Sequence, residues 1–142
     1  MKSNRLIKTM LILLVIIALI GAIALIAVLK LTGEKEQSTP SADEIVESSI
    51  DIPEITTNLA DGRYVKISFK IQTNSKKGKE EAEKRDFQIK NIIIEELSEM
   101  KAENFKGKEG MTSFEERLKQ QINQIMQDGK VEQVYITSFV LQ

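Results

Sequence analysis

Twenty consecutive positions, Met10 to Leu29, carry neither a charge nor a hydrogen-bonding side chain, and beyond them apolar residues return only in short periodic sets. At about 1.5 Å of rise per residue a helix of this length covers roughly 30 Å, the thickness of a bilayer's hydrocarbon layer. Fourteen of the twenty are Leu, Ile or Val, so the segment predicts one transmembrane helix over 10–29 behind a short N-terminus, 1–9. A removable signal peptide cut near Ala22-Ile23-Ala24 competes with a permanent anchor. The anchor is preferred, because Leu25, Ile26, Val28 and Leu29 extend the apolar run to Lys30, whereas a cleavable segment stops being apolar near its site. Lys2, Arg5 and Lys8 precede the span without an acid among them. The positive-inside bias then puts the N-terminus in the cytoplasm and the rest of the chain outside. Ala18, Gly21 and Ala22 form a small-residue stripe where two spans could approach closely, a candidate membrane-helix interface.

Residues 30–53 mix Gly, Pro, Ser, Thr and acid, the composition of a flexible, solvated connector. Within it Ser41-Ala42-Asp43-Glu44 is a capping box that predicts a helix of one or two turns, either incidental or a partner-binding element. A compact unit is expected over 54–142. Val65, Ile67, Phe69 and Ile71 alternate with Tyr64, Lys66, Ser68, Lys70 and Gln72, which predicts a strand with one buried face. Ile55, Thr57 and Leu59 form a preceding strand, and Asp61-Gly62 between the two signals a hairpin. A two-residue loop would pair Thr56 with Ile67 and turn polar side chains to the core. A three-residue Ala60-Asp61-Gly62 loop pairs Ile55 with Ile67 and Thr57 with Val65, so that register is predicted, with Gly62 left-handed.

Helical spacing comes next. Phe87, Ile93, Leu97 and Met100 predict one helix over about 80–101, and a second capping box at Ser113 and Glu116 precedes the stripe Phe114, Leu118, Ile122, Ile125, Met126. That helix is expected to close at Asp128-Gly129 with a left-handed glycine. In Val131 to Leu141, Val134, Ile136 and Val140 alternate with Val131, Tyr135 and Phe139, so the last strand reads as apolar on both faces and central or doubly covered. Val131, Tyr135 and Phe139 are its candidate self-association surface. The expected fold class is α+β, a β-β-α-α-β domain with helices on one face of a small sheet.

Charge sharpens this picture only locally. The formal net charge is -1, but the first 30 residues stand at +4 and the excess acid is concentrated between residues 31 and 54. Cys and His are both absent from the 142 residues. Disulfides, thiolate nucleophiles, Cys/His zinc sites and imidazole bases are therefore excluded. Glu80-Glu81, Glu95-Glu96 and Glu115-Glu116 are neighbouring acids that point about 100° apart on a helix, so they read as solvated faces rather than catalytic pairs. Lys76, Lys77 and Lys79 lack interleaved aromatics, and the seven glycines form no phosphate loop. No catalytic residue, cofactor, metal, nucleic acid or small-molecule substrate is expected.

Asn58-Leu59, Asp61-Gly62-Arg63-Tyr64-Val65, Arg85-Asp86, Glu109-Gly110, Leu118, Ile122-Asn123 and the ending Val131 to Gln142, in this order behind one N-terminal span, resemble the FliL family of flagellar basal body-associated proteins. Ile136 stands where an aromatic residue is usual. The resemblance implies a non-enzymatic accessory of the flagellar motor in the bacterial inner membrane, beside the stator units that turn ion flow into torque. It further implies a homo-oligomeric ring and an outer domain similar to the stomatin-type (SPFH) fold, serving rotation, swimming and swarming. On this reading the spans encircle a stator while the outer domains join edge to edge. A generic single-span envelope adaptor without a tie to flagella is the alternative, and an anchored enzyme working through carboxylates or Lys is a more distant one.

Overall fold

The computed structural model describes residues 2–31 and 39–142; residues 32–38 of the expected connector lie outside the described residues. The chain divides into two compact units, Met1–Thr39 and Pro40–Gln142. The first contains α1 (Lys2–Leu31), a single helix whose stretch Ser3–Lys30 is long and apolar enough to cross a membrane. Among the described residues of its unit nothing covers it, and side chains from Met10 to Leu29 are exposed throughout.

The second unit runs α2 (Ala42–Glu47), β1 (Ser49–Asn58), β2 (Tyr64–Thr73), α3 (Lys76–Lys84), α4 (Asp86–Glu99), a 3-10 turn (Ala102–Phe105), α5 (Gly107–Ile125) and β3 (Val131–Leu141). This order overturns the expected β-β-α-α-β, stomatin-type arrangement: a helix precedes the first strand, and two helices and a 3-10 turn stand before α5. At α2 the capping box is formed, with Glu44 N–H on Ser41 Oγ at 3.2 Å and Ser41 N–H on Glu44 Oε2 at 2.8 Å. β1 starts at Ser49, inside the stretch read as connector. Its apolar residues change phase, Ile50 and Ile52 on one side of Pro53-Glu54 and Ile55 on the other, because a bulge there inserts an extra residue opposite Ser68. Strict alternation is the signal of a strand, and the bulge erases it.

The hairpin has the register expected of it, Ile55 opposite Ile67 and Thr57 opposite Val65. Leu59 N–H bonds Arg63 C=O at 2.8 Å and closes the loop Ala60-Asp61-Gly62. Gly62 has φ +84°, a region costly for any residue with a Cβ. Gly62→Ala should therefore lower stability by about 1 kcal/mol, a melting-temperature loss of several degrees, with no change in helix content.

The helix expected over 80–101 is two helices. Arg85, at φ −95° and ψ 12°, ends α3 and begins α4. Apolar spacing runs through the break without a change of phase, since Ala82, Ile89, Ile93 and Leu97 are all buried, so periodicity cannot reveal it. Phe87, expected on the core face, is 71% exposed instead. α5 begins at Gly107, six positions before the capping box at Ser113, and runs through Gly110. A Cβ on Gly110 would lie 2.4 Å from the Asn104 carbonyl oxygen, so this glycine marks a close approach to the 3-10 turn. The helix ends at Ile125, and Gly129 has no positive φ.

The three strands form an antiparallel sheet in the order β1-β2-β3, which makes β2 central and β3 an edge. The expectation of a central or doubly covered β3 fails because bulges at Glu132 and Thr137 each skip a residue against β2. Every skip flips the face of the residues beyond it. Val131 and Val134 are buried, and Ile136, Phe139 and Leu141 pack against the same core. Beneath them Phe69, Phe114, Phe105 and Phe139 form a ring-to-ring chain with centroids 6.1, 5.3 and 5.1 Å apart.

Candidate interaction surfaces

The acidic residues come first, because catalysis without Cys or His would rest on them. In each neighbouring pair one acid turns inward, against the expectation of solvated faces. The Glu81 carboxylate accepts the backbone N–H groups of Gln127 (2.8 Å), Asp128 (2.7 Å) and Gly129 (3.0 Å), together with Arg85 Nε at 2.8 Å. Burial pushes its carboxyl up, but these donors outweigh burial and hold it at about 2, below the ordinary 4.5. Glu96, also buried, accepts Arg117 and Gln121 at 2.6 Å each and ties α4 to α5. Glu115 Oε1 takes the Ile136 N–H beside a β3 bulge at 2.9 Å.

These groups are joints. The same holds for residues that carry the family resemblance. Asp61 accepts Ala102 N–H and Arg63 N–H, and the first of these, more than any other interaction, keeps its carboxyl below the usual range. Asn123 exchanges two hydrogen bonds with the Val131 backbone, 2.7 and 3.0 Å, and sets the start of β3. Gly129 crosses α3 so closely that a Cβ on it would sit 2.2 Å from Gly78 Cα. Composition alone carries no signal for the inward acids; apart from Arg85, four residues from Glu81, their partners lie 21 to 48 residues away. Among the described residues no group of three or more His, Cys, Asp or Glu side chains is placed to hold a metal.

Beyond these joints the candidates are surfaces. Ala18, Gly21 and Ala22 share one face of α1 by their three- and four-residue spacing, and all are exposed. The three β3 candidates are separated from one another. Val131 is wholly buried, Phe139 packs on Phe105, and Tyr135 is 40% exposed on the opposite face, its hydroxyl donating to Gln72 Oε1 at 3.1 Å. Around Tyr135 the sheet face away from the core presents Lys66, Ser68, Lys70 and Gln72 from β2, with Tyr64 and Val140 exposed at its margin. Lys70 is paired with Asp51 across the strands at 2.7 Å.

At the hairpin end of the sheet lies a cleft of about 510 Å³. Phe105, Phe139 and Leu141 line it together with Arg63, Lys101 and Lys106, all three exposed, while Asp61 and Glu103 supply its acids. Sequence periodicity could not show it, since its parts come from the β1–β2 loop, the 3-10 turn and the far end of β3.

Residues 49–142, which span both strands of the hairpin through the end of the chain, match the family described as flagellar basal body-associated protein FliL. A flagellar protein FliL of Bacillus subtilis is 47% identical over 124 residues, covering 86% of this chain and 89% of that protein. Another, from Aquifex aeolicus, is 30% identical over 93 residues, covering 63% of this chain and 58% of that protein.

Proposed function

The chain belongs to the FliL family, and from that premise we propose that it is held in the bacterial inner membrane by an uncut α1, beside the stator units of the flagellar motor, where it supports rotation as a homo-oligomer. Family membership makes it a flagellar, membrane-associated motility protein without enzymatic activity. The observation that carries the finer reading is the uncharged stretch Met10–Leu29 ahead of a compact unit whose ionisable groups act as joints and not as a site.

Four features support the arrangement. Lys2, Arg5 and Lys8 favour a cytoplasmic N-terminus, which puts Pro40–Gln142 on the far side of the bilayer. Residues 30–53 act as tether, within which α2 and the start of β1 lie, and 54–142 as the body of the outer domain. The Ala18/Gly21/Ala22 stripe lets spans approach one another or those of a stator. On β3, Phe139 offers self-association at the cleft, Tyr135 offers contact across the open sheet face, and Val131 supports both from the core.

Single cysteines at Ala18, Ala22 and Tyr135 in this otherwise thiol-free chain test the reading in native membranes, with and without stator proteins. Ala18→Cys and Ala22→Cys are expected to give chain-to-chain disulfides, and Tyr135→Cys to react with an impermeant thiol reagent from outside the cell. Deletion of the chain is expected to lower torque per stator. A monomeric chain in membranes, a chain released by cleavage after Ala24, or unchanged torque would each overturn it.

A further inference from the structure

α2 and the cleft are complementary and stand at opposite ends of the same sheet. α2 leads directly into β1 at Ser49, and the cleft begins at the loop after Asn58. Ten residues of strand separate them, about 33 Å at strand rise, too far for α2 to reach the cleft of its own chain. Ile45 is the half-buried residue by which α2 docks, and Val46 points away, 59% exposed. Asp43 and Glu47, four residues apart, share the exposed face opposite Ile45, with Val46 at its margin about 60° from Asp43, and Glu47 meets Lys76 at 3.2 Å through an exposed pair. The outward face of α2 is therefore two acids with one apolar side chain at its edge.

The cleft carries the opposite pattern. Its apolar surface comes from Phe105, Phe139 and Leu141, and its rim holds three cations, Arg63, Lys101 and Lys106, against the acids Asp61 and Glu103. Both oxygens of the nearby Asp61 are already taken by backbone N–H groups, Oδ1 by Arg63 and Oδ2 by Ala102. Among the described residues, no carboxylate lies within ion-pair distance of the three rim cations, unlike Lys70, Lys76, Lys77, Lys90 and Lys119. A cleft of about 510 Å³ accommodates a short amphipathic helix face more readily than a flat surface does.

We infer that the cleft receives α2 of a second copy, with Val46 against Phe139 and Leu141 and with Asp43 and Glu47 on the Lys101–Lys106 rim, Glu47 exchanging its exposed partner Lys76 for the rim. Donor and acceptor lie on different surfaces of one unit, so the contact is heterologous: each copy gives α2 to one neighbour and accepts it from another. Such a contact propagates head to tail and closes into a ring when its rotation allows, which deepens the homo-oligomer of the proposed function and rests on it. The attraction is between exposed charges and weakens with added salt.

The test uses full-length chains in membranes. Val46→Cys chains are mixed with Lys106→Cys chains and oxidised. A mixed disulfide is expected, and chains carrying both cysteines are expected to give a ladder of higher multimers. Lys101→Glu with Lys106→Glu should reduce crosslinking of Val46→Cys to an Arg63→Cys neighbour about tenfold, the effect of two exposed ion pairs. Asp43→Lys with Glu47→Lys in the neighbour should restore it, which a folding defect would not do. Self-association that persists without any mixed disulfide, or without charge-swap rescue, overturns this contact and leaves the proposed function standing. Chains that remain monomeric by amine crosslinking and by native mass overturn the homo-oligomer itself.

Discussion

Replacing Glu81 by alanine should cost about 3–5 kcal/mol of stability, since it leaves three converging backbone N–H groups and the Arg85 guanidinium without their acceptor. Thermal unfolding of the full chain in detergent, followed by circular dichroism, should show a melting temperature lower by more than about 10 °C. The acid also sets a pH signature. Its folded pKa, about 2, lies below the ordinary 4.5, so its contribution is complete above about pH 4.5 and is lost as pH falls toward 2. Glu81→Gln keeps the shape and removes the charge. It should flatten the acid limb of the stability profile between those two values, while stability near pH 7 falls below that of the parent. A variant with an unchanged acid limb would show that the α5–β3 loop is not held by this carboxylate. Loosening that loop should also free β3 at Val131, because Gly129 is two residues before it and crosses α3 at Gly78.

Phe114→Ala is the second large effect, and Phe87→Ala is its control. Both are helical phenylalanines, one wholly buried between Phe69 and Phe105, the other 71% exposed. Truncating the first removes a ring at the centre of the aromatic chain and leaves a cavity, at about 3–5 kcal/mol, a loss large enough to depopulate a domain of marginal stability. Truncating the second should stay within about 0.5 kcal/mol. In soft agar, cells carrying Phe114→Ala should swarm as poorly as a deletion strain, with less protein in the membrane fraction. Equal losses from the two substitutions would contradict the placement of α4.

The two phenylalanines also show where sequence pattern reaches its limit. Phe114, Leu118 and Ile122 are legible because four-residue spacing on one helix face is a local property, and tertiary contact only confirms which face is wetted. Phe87 satisfies the same spacing rule and is nevertheless outside, because Arg85 breaks the helix just before it and α4 turns Ile89, Ile93 and Leu97 to the core. The hairpin is legible in full, down to its register, since a pleated strand with one wet face tolerates only one pairing across Ala60-Asp61-Gly62. β1 before the bulge and the faces of β3 are not. Three inserted residues, one near Pro53-Glu54 and one each at Glu132 and Thr137, shift the parity on which that rule depends.

Family membership is likewise legible, and the structure supplies a reason why those motifs carry it. Asp61 and Gly62 shape the hairpin tip, Arg85 joins two helices, Gly110 admits the 3-10 turn, and Asn123 seats β3. Each serves geometry that few other residues supply. By itself, then, the amino-acid order determined the apolar span, the hairpin and its left-handed glycine, the α5 stripe and the absence of thiol and imidazole chemistry, because each depends on neighbours a few positions away. Only the tertiary structure decided that Glu81, Glu96 and Glu115 turn inward, that Val131, Tyr135 and Phe139 part company, and that a basic, aromatic cleft lies a strand's length from an acidic helix. Those outcomes come from segments far apart in the chain meeting in space, where burial, backbone donors and bulges outweigh local pattern.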